Sequence, residues 1–119
     1  CQITGMAYPY GTYNDEVVQI LKKCKIQYAR SVVSSGAFKL QKNLLIFKPT
    51  CHHADENIWE LLEKFLKEKS EEKQLFYIWG HSYEFDVNNN WKRMEEILDR
   101  LIGHNNIFYG TNREVLLPC

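Results

Sequence analysis

The apolar run Leu75-Phe76-Tyr77-Ile78 is closed by the string Trp79-Gly80-His81-Ser82-Tyr83-Glu84-Phe85-Asp86. A short, bounded run of this kind reads as a buried strand. A small residue, a histidine and two carboxylates follow it directly. A second such place is Tyr8-Pro9-Tyr10-Gly11, at the end of the short strand expected over Gly5 to Tyr8. Loops after the C-terminal ends of parallel strands are where α/β proteins hold their chemistry. The chain therefore offers two candidate active-site loops.

The rest of the pattern alternates helix and strand. Asn14 is a good N-cap with Asp15 and Glu16 in the first turn. Val17, Val18, Ile20, Leu21 and Cys24 then mark one helical face, which places Cys24 in the core as a small apolar residue. Residues 26–33 read as the next strand and 43–47 as a short extended run. Asp55 is expected to cap a second helix, with Ile58, Trp59, Leu61, Leu62, Phe65 and Leu66 on its buried side. The charged stretch 67–73 ends that helix, and 74–79 is the strongest strand. Asn88, Asn89 and Asn90 offer a cap for a third helix, along which Trp91, Met94, Ile97, Leu98, Leu101 and Ile102 recur at helical spacing. Gly103 is a natural stop, and residues 106–109 read as a last strand. Strands separated by helices imply an α/β fold with a mostly parallel sheet. Residues 1–119 form one partial domain. Four or so strands with three helices make about half of a (β/α) barrel, which takes about 250 residues.

Composition narrows the function. A chain of 119 residues holds one domain at most, and 45% hydrophobic residues argue against disorder. Fifteen basic and fifteen acidic side chains balance, with no basic patch, so nucleic acid is a poor partner. No apolar stretch approaches a membrane span, and the N-terminus carries no signal-peptide pattern, which leaves localisation open. Cys1, Cys24, Cys51 and Cys119 form no CxxC pair, which argues against a zinc knuckle. A bridge between Cys1 and Cys119 is conceivable, though no spacing argues for it.

His81 is the best catalytic candidate, since a histidine at a strand end can act as general acid or base near neutral pH. A histidine fixed structurally in the loop is the even alternative. Glu84 and Asp86 can orient that imidazole or cap a helix, and capping suits Asp86 better. The turn at Pro9-Tyr10-Gly11 can aim a backbone N–H at a developing oxyanion, or be an ordinary strand-to-helix turn. Cys51, His52, His53 and Asp55 place four potential metal ligands within five residues. Adjacent histidines in an extended segment point apart, however, and Asp55 is expected to cap a helix, so a ligand-lining loop is the better reading. Tyr13, Tyr28, Tyr83, Trp79 and Trp91 can stack on sugar rings, although their spacing assigns Trp59 and Trp91 to the core. Arg30 can reach the site from its strand or be a paired structural arginine.

Four strings together resemble the polysaccharide deacetylase family, also called the NodB-homology or carbohydrate esterase family 4 domain. They are Gly5-Met6-Ala7-Tyr8-Pro9-Tyr10-Gly11-Thr12-Tyr13-Asn14, Tyr28-Ala29-Arg30, Pro49-Thr50-Cys51-His52-His53, and Trp79 through Asp86. A bacterial subgroup carries similar strings in this order, and the resemblance covers nearly the whole chain. It implies a distorted (β/α) barrel and a hydrolase that removes the acetyl group from an N-acetylated carbohydrate, acting on a carbon–nitrogen bond other than a peptide bond. It implies a divalent metal, often zinc, held by an aspartate and two histidines. It maps the proton donor for the leaving amine onto His81 and the oxyanion-holding backbone N–H onto Tyr10. Tyr8, Trp79, Tyr83, Glu84 and His53 then become the residues expected to contact substrate.

The family's Asp-Asp and His-x-x-x-His motifs are absent from these residues, so its metal ligands and base are expected outside this chain. The chain reads as the C-terminal part of such a domain, inactive by itself. A non-catalytic carbohydrate-binding or assembly remnant of the fold is the alternative. A half-barrel exposes a sheet edge, with Phe76, Ile78 and Phe108 as candidates to line the uncovered surface. Self-association, or binding of an N-terminal half, is then expected.

Overall fold

Asn14 caps the first helix as its sequence predicts, its side chain accepting the Val17 N–H at 2.8 Å. The computed structural model describes residues 1–117, so a Cys1–Cys119 bridge would involve a residue outside the described ones. The elements are β1 (Gly5–Ala7), α1 (Asp15–Lys23), β2 (Tyr28–Arg30), β3 (Cys51–His52), α2 (Ile58–Lys67), β4 (Ile78–Trp79), α3 (Tyr83–Val87), α4 (Trp91–Leu101) and α5 (Asn112–Leu116). Two 3₁₀ turns, Pro9–Gly11 and Leu44–Ile46, lie between them.

All strand pairing between named strands is parallel: β1 with β2, and β3 with β4. The extended stretch between residues 47 and 53 connects the two pairs. Its start exchanges bonds with β2, Phe47 N–H to Ala29 O at 3.0 Å and Ser31 N–H to Phe47 O at 2.8 Å. Its end bonds β4 and the residue before it, Thr50 N–H to Tyr77 O at 2.9 Å and His53 N–H to Trp79 O at 3.0 Å. The guanidinium of Arg30, last residue of β2, lies 4.6 Å from the ring centroid of Trp79, last residue of β4. The C-terminal ends of the strands thus gather at one edge. This is an α/β arrangement with small parallel sheets; no barrel closes among the described residues.

The core lies where α2 and α4 cover β3 and β4. Cys51, Ile58, Leu62 and Ile97 are buried, with Trp59, Leu61, Phe76, Ile78, Met94 and Leu101 packed against them. Full burial of an aliphatic side chain is worth about 1.5–3 kcal/mol, so α2 and α4 are held mainly through this face. Burial pushes the Cys51 thiol up to about 12, with the charge of Asp55 adding to the rise. Cys51 is therefore an inert apolar residue of the core.

Several expectations are corrected. Cys24 ends α1 and is exposed, because the helix turns only Val18 fully inward. Asp55 is not the cap of α2. The helix starts three residues later, and Asp55 instead organises the preceding turn by accepting the Asn57 N–H at 2.9 Å. Only Ile78 and Trp79 of the 74–79 run are strand, since β3 offers just two partner residues. Residues 106–109 are not a strand; no neighbouring strand stands beside them, and the Tyr109 hydroxyl instead bonds the Leu101 carbonyl at the end of α4. Trp91 is half-exposed, its indole N–H donating to Asp86 at 2.7 Å. Of the three residues expected on an uncovered surface, Phe108 is exposed while Phe76 and Ile78 pack on the core.

Candidate functional site

Strand β3 stops at His52, and the chain turns immediately. The alternation that would send neighbouring side chains to opposite faces holds only within a strand. Past its end it lapses, and the two imidazoles converge with ring centroids 4.2 Å apart. The expectation that they point apart is overturned. Across the cleft, the chain leaves β4 through Gly80 and His81 and enters the short helix α3, whose first turn carries Glu84. One carboxylate oxygen of Glu84 accepts from His52 Nε2 at 3.1 Å, from His53 Nε2 at 2.6 Å and from the His81 backbone N–H at 3.0 Å. Its other oxygen lies 3.4 Å from His81 Nδ1.

Gly80 is what lets the two walls meet. A Cβ at that position would lie 2.0 Å from the His53 ring. Trp79 stands edge-on to His52, with centroids 4.7 Å apart, and 6.0 Å from the His81 ring. Phe85 covers the other face of His53 at 4.3 Å. His53 is buried, His52 and Glu84 are partly exposed, and the His81 side chain is about half exposed at 53%. The cluster is therefore anchored by His53 at its floor and opens to solvent at His81.

The electrostatics follow from these contacts. The His81 N–H bond is the largest influence holding the Glu84 carboxyl down to about 2, with the His53 and His81 side-chain bonds and the charge of His52 adding to it. Burial, then repulsion from His53, lowers the His52 imidazole below its ordinary value. Both groups bind fewer protons folded than unfolded in acid, so stability is present above the unfolded values and is lost as pH falls. The loss begins near the ordinary histidine value of 6.5 and continues toward the Glu84 value of about 2. We expect the urea midpoint to be lower at about pH 3 than at about pH 7, with Glu84→Gln removing the part of the fall that lies below the ordinary carboxylate value of 4.5. An undiminished difference in Glu84→Gln would assign the acid sensitivity elsewhere.

His52, His53 and Glu84 are also the one group of potential metal ligands among the described residues, their ligand atoms lying within 4.8 Å of one another. Cys51 and Asp55, expected to share a site with the histidines, do not join them. By donor type, two imidazoles and a carboxylate suit zinc. Their hydrogen bonding does not. The Ala54 N–H donates to His52 Nδ1 at 3.0 Å, so the ring hydrogen of His52 sits on Nε2, the atom a metal would need bare. His53 Nδ1 is buried with no partner. Glu84 is ionised and its oxygen lies 2.6 Å from His53 Nε2, so the hydrogen between them belongs to Nε2. Both rings are set as donors to Glu84, and the trio as it stands does not fit a metal.

The other predicted site residues divide. Trp79, Glu84, His53 and His81 come together here. Tyr83 starts α3, exposed, 5.5 Å from the His81 ring. Tyr8 is buried, its hydroxyl donating to the Leu45 carbonyl at 2.6 Å, so it supports the turn rather than the surface. Tyr10 lies almost fully exposed in that turn after β1, at φ 55° beside Gly11 at φ 69°. Non-glycine residues held in this region concentrate at functional sites. It sits at the C-terminal end of its strand, as His81 does. The sequence reading missed His52 as a member of the cluster. The signal was present in the short spacing between the two histidines and the turn at Ala54-Asp55. A surface groove lined by Trp59, Glu96, Asp99 and Arg100 shares no residue with the cluster, and its Arg100 is paired to Glu63. No helix of the described residues is long and apolar enough to cross a membrane. Comparison with family profiles, curated proteins and solved structures finds no match.

Proposed function

We propose that these residues carry the acid–base part of an N-deacetylase of the polysaccharide deacetylase type, a hydrolase acting on the acetamide of an N-acetylated sugar. The observation that supports this most is the placement of His81, half exposed and bonded to Glu84, at the strand edge with the exposed ring of Tyr83 5.5 Å away. In the reaction, water adds to the acyl carbon and the C–N bond breaks. His81 gives its proton to the departing amine, and acetate is the other product. The backbone N–H of Tyr10 stabilises the oxyanion. The resemblance assigns the divalent metal, often zinc, which would activate the water, to an aspartate and two histidines beyond these residues, consistent with the poor fit of His52, His53 and Glu84.

The experiment is acetate release from acetylated chito-oligosaccharide. The natural full-length protein is expected to release acetate and the 119-residue chain alone to release none, because the family's aspartate base is not in it. Acetate release by the 119-residue chain alone would show the base to be misplaced, and none from either would remove the reading.

A non-catalytic, assembly-forming remnant is the second reading. It is favoured by surface: the chain exposes 8700 Å², where a folded monomer of 14.1 kDa exposes about 6700 Å². Light scattering across a dilution series tests it. Under this reading a second copy or an N-terminal half binds, and a monomer at every concentration with no partner counts against it.

A further inference from the structure

We infer that Glu84 is a positioning residue for His81, acting as a carboxylate hub that holds three histidines through N–H donors in place of a metal. The inference rests on the proposed function only for His81's catalytic role; the hub itself rests on geometry. One oxygen of Glu84 receives three donors, two from imidazole rings and one from the main chain at His81. The bond to that main chain fixes where the loop leaves β4, and the second oxygen faces His81 Nδ1 at 3.4 Å. A contact at Nδ1 leaves Nε2 as the nitrogen able to meet substrate. His53 makes the hub rigid, since it is buried between Gly80 and Phe85. His52 closes it from the solvent side, with its own hydrogen set by Ala54. A carboxylate with this many donors remains an acceptor, which is what orienting an imidazole requires.

Long-range ¹H–¹⁵N NMR of the histidine side chains tests the hub without substrate. Hydrogen on Nε2 and a bare Nδ1 are expected for both His52 and His53, and one equivalent of Zn²⁺ is expected to leave these signals in place. Hydrogen on Nδ1 of either ring, or a stoichiometric Zn²⁺ shift of both Nε2 signals that Glu84→Gln abolishes, overturns the hub in favour of a metal site. Glu84→Gln is expected to move the His81 backbone amide and ring signals while the circular dichroism of the fold persists. If the variant does not fold, the wild-type signals alone decide the hub. The positioning role is read in the natural full-length protein, where Glu84→Gln should lower kcat by up to about 10²-fold with KM nearly unchanged. An unchanged kcat overturns the positioning role. Absence of any deacetylase activity in wild type, with the NMR pattern as expected, overturns the proposed function and leaves the hub standing.

Discussion

His81→Ala in the natural full-length protein is expected to lower kcat by about 10²–10⁴-fold, the range a positioned general acid contributes, with little change in KM. Under the proposed deacetylation the effect falls on kcat, because the amine would gain its proton only as the C–N bond breaks. Two features of the structure argue for this. His81 is the most exposed member of its cluster, so its ring can meet a ligand. It is also held at its main chain by Glu84, so removing the imidazole leaves the loop anchored. His81→Ala with unchanged kcat would make His81 a structural histidine, the alternative that its sequence position alone leaves open.

The second large effect concerns stability. Leu62 is 1% exposed, at the centre of the α2–α4 contact with Ile58 and Ile97. Leu62→Ala removes three buried carbons and leaves a cavity between elements that cannot easily close it. A loss of about 2–5 kcal/mol is expected, a large share of the roughly 5–15 kcal/mol that holds a domain folded. Leu98, next to Ile97 on α4, is 47% exposed, and Leu98→Ala should stay within about 0.5 kcal/mol. Urea denaturation of the two variants beside wild type checks both values. Similar losses for the two would mean that α4 presents a different face to the core.

Much of this fold was legible because local signals agreed with tertiary ones. The Asn14 cap, the apolar face of α2 and the left-handed Gly103 after α4, at φ 79°, lie where the residues place them, whereas along α4 only Met94, Ile97 and Leu101 meet the core and Trp91, Leu98 and Ile102 are exposed. The failures have a common cause: an apolar run becomes a strand only if a partner strand stands beside it. Residues 106–109 have none, and 74–77 have the Gln74–Lys39 bridge and single bonds to Phe38, Thr50 and Cys51 but no continuous ladder. Helix α3 was hidden by its five-residue length, too short for periodicity to register. Helix α5 was readable and passed over. Thr111 and Glu114 form a capping box, the spacing that marks a helix start. The cluster was half legible: His81 and Glu84 follow from the strand-end rule. The approach of His52 and His53 to Glu84 depends on where β3 stops, which two residues of pairing decide and the sequence does not announce.

The account turns on which bond is broken at this strand edge. Mass spectrometry of acetylated chito-oligosaccharides, incubated with the natural full-length protein, reads that bond directly. The account predicts products that lose acetyl groups one at a time while the number of sugar units stays constant, with the loss suppressed by His81→Ala. Shorter sugars that keep every acetyl group, or substrate recovered unchanged, would contradict it.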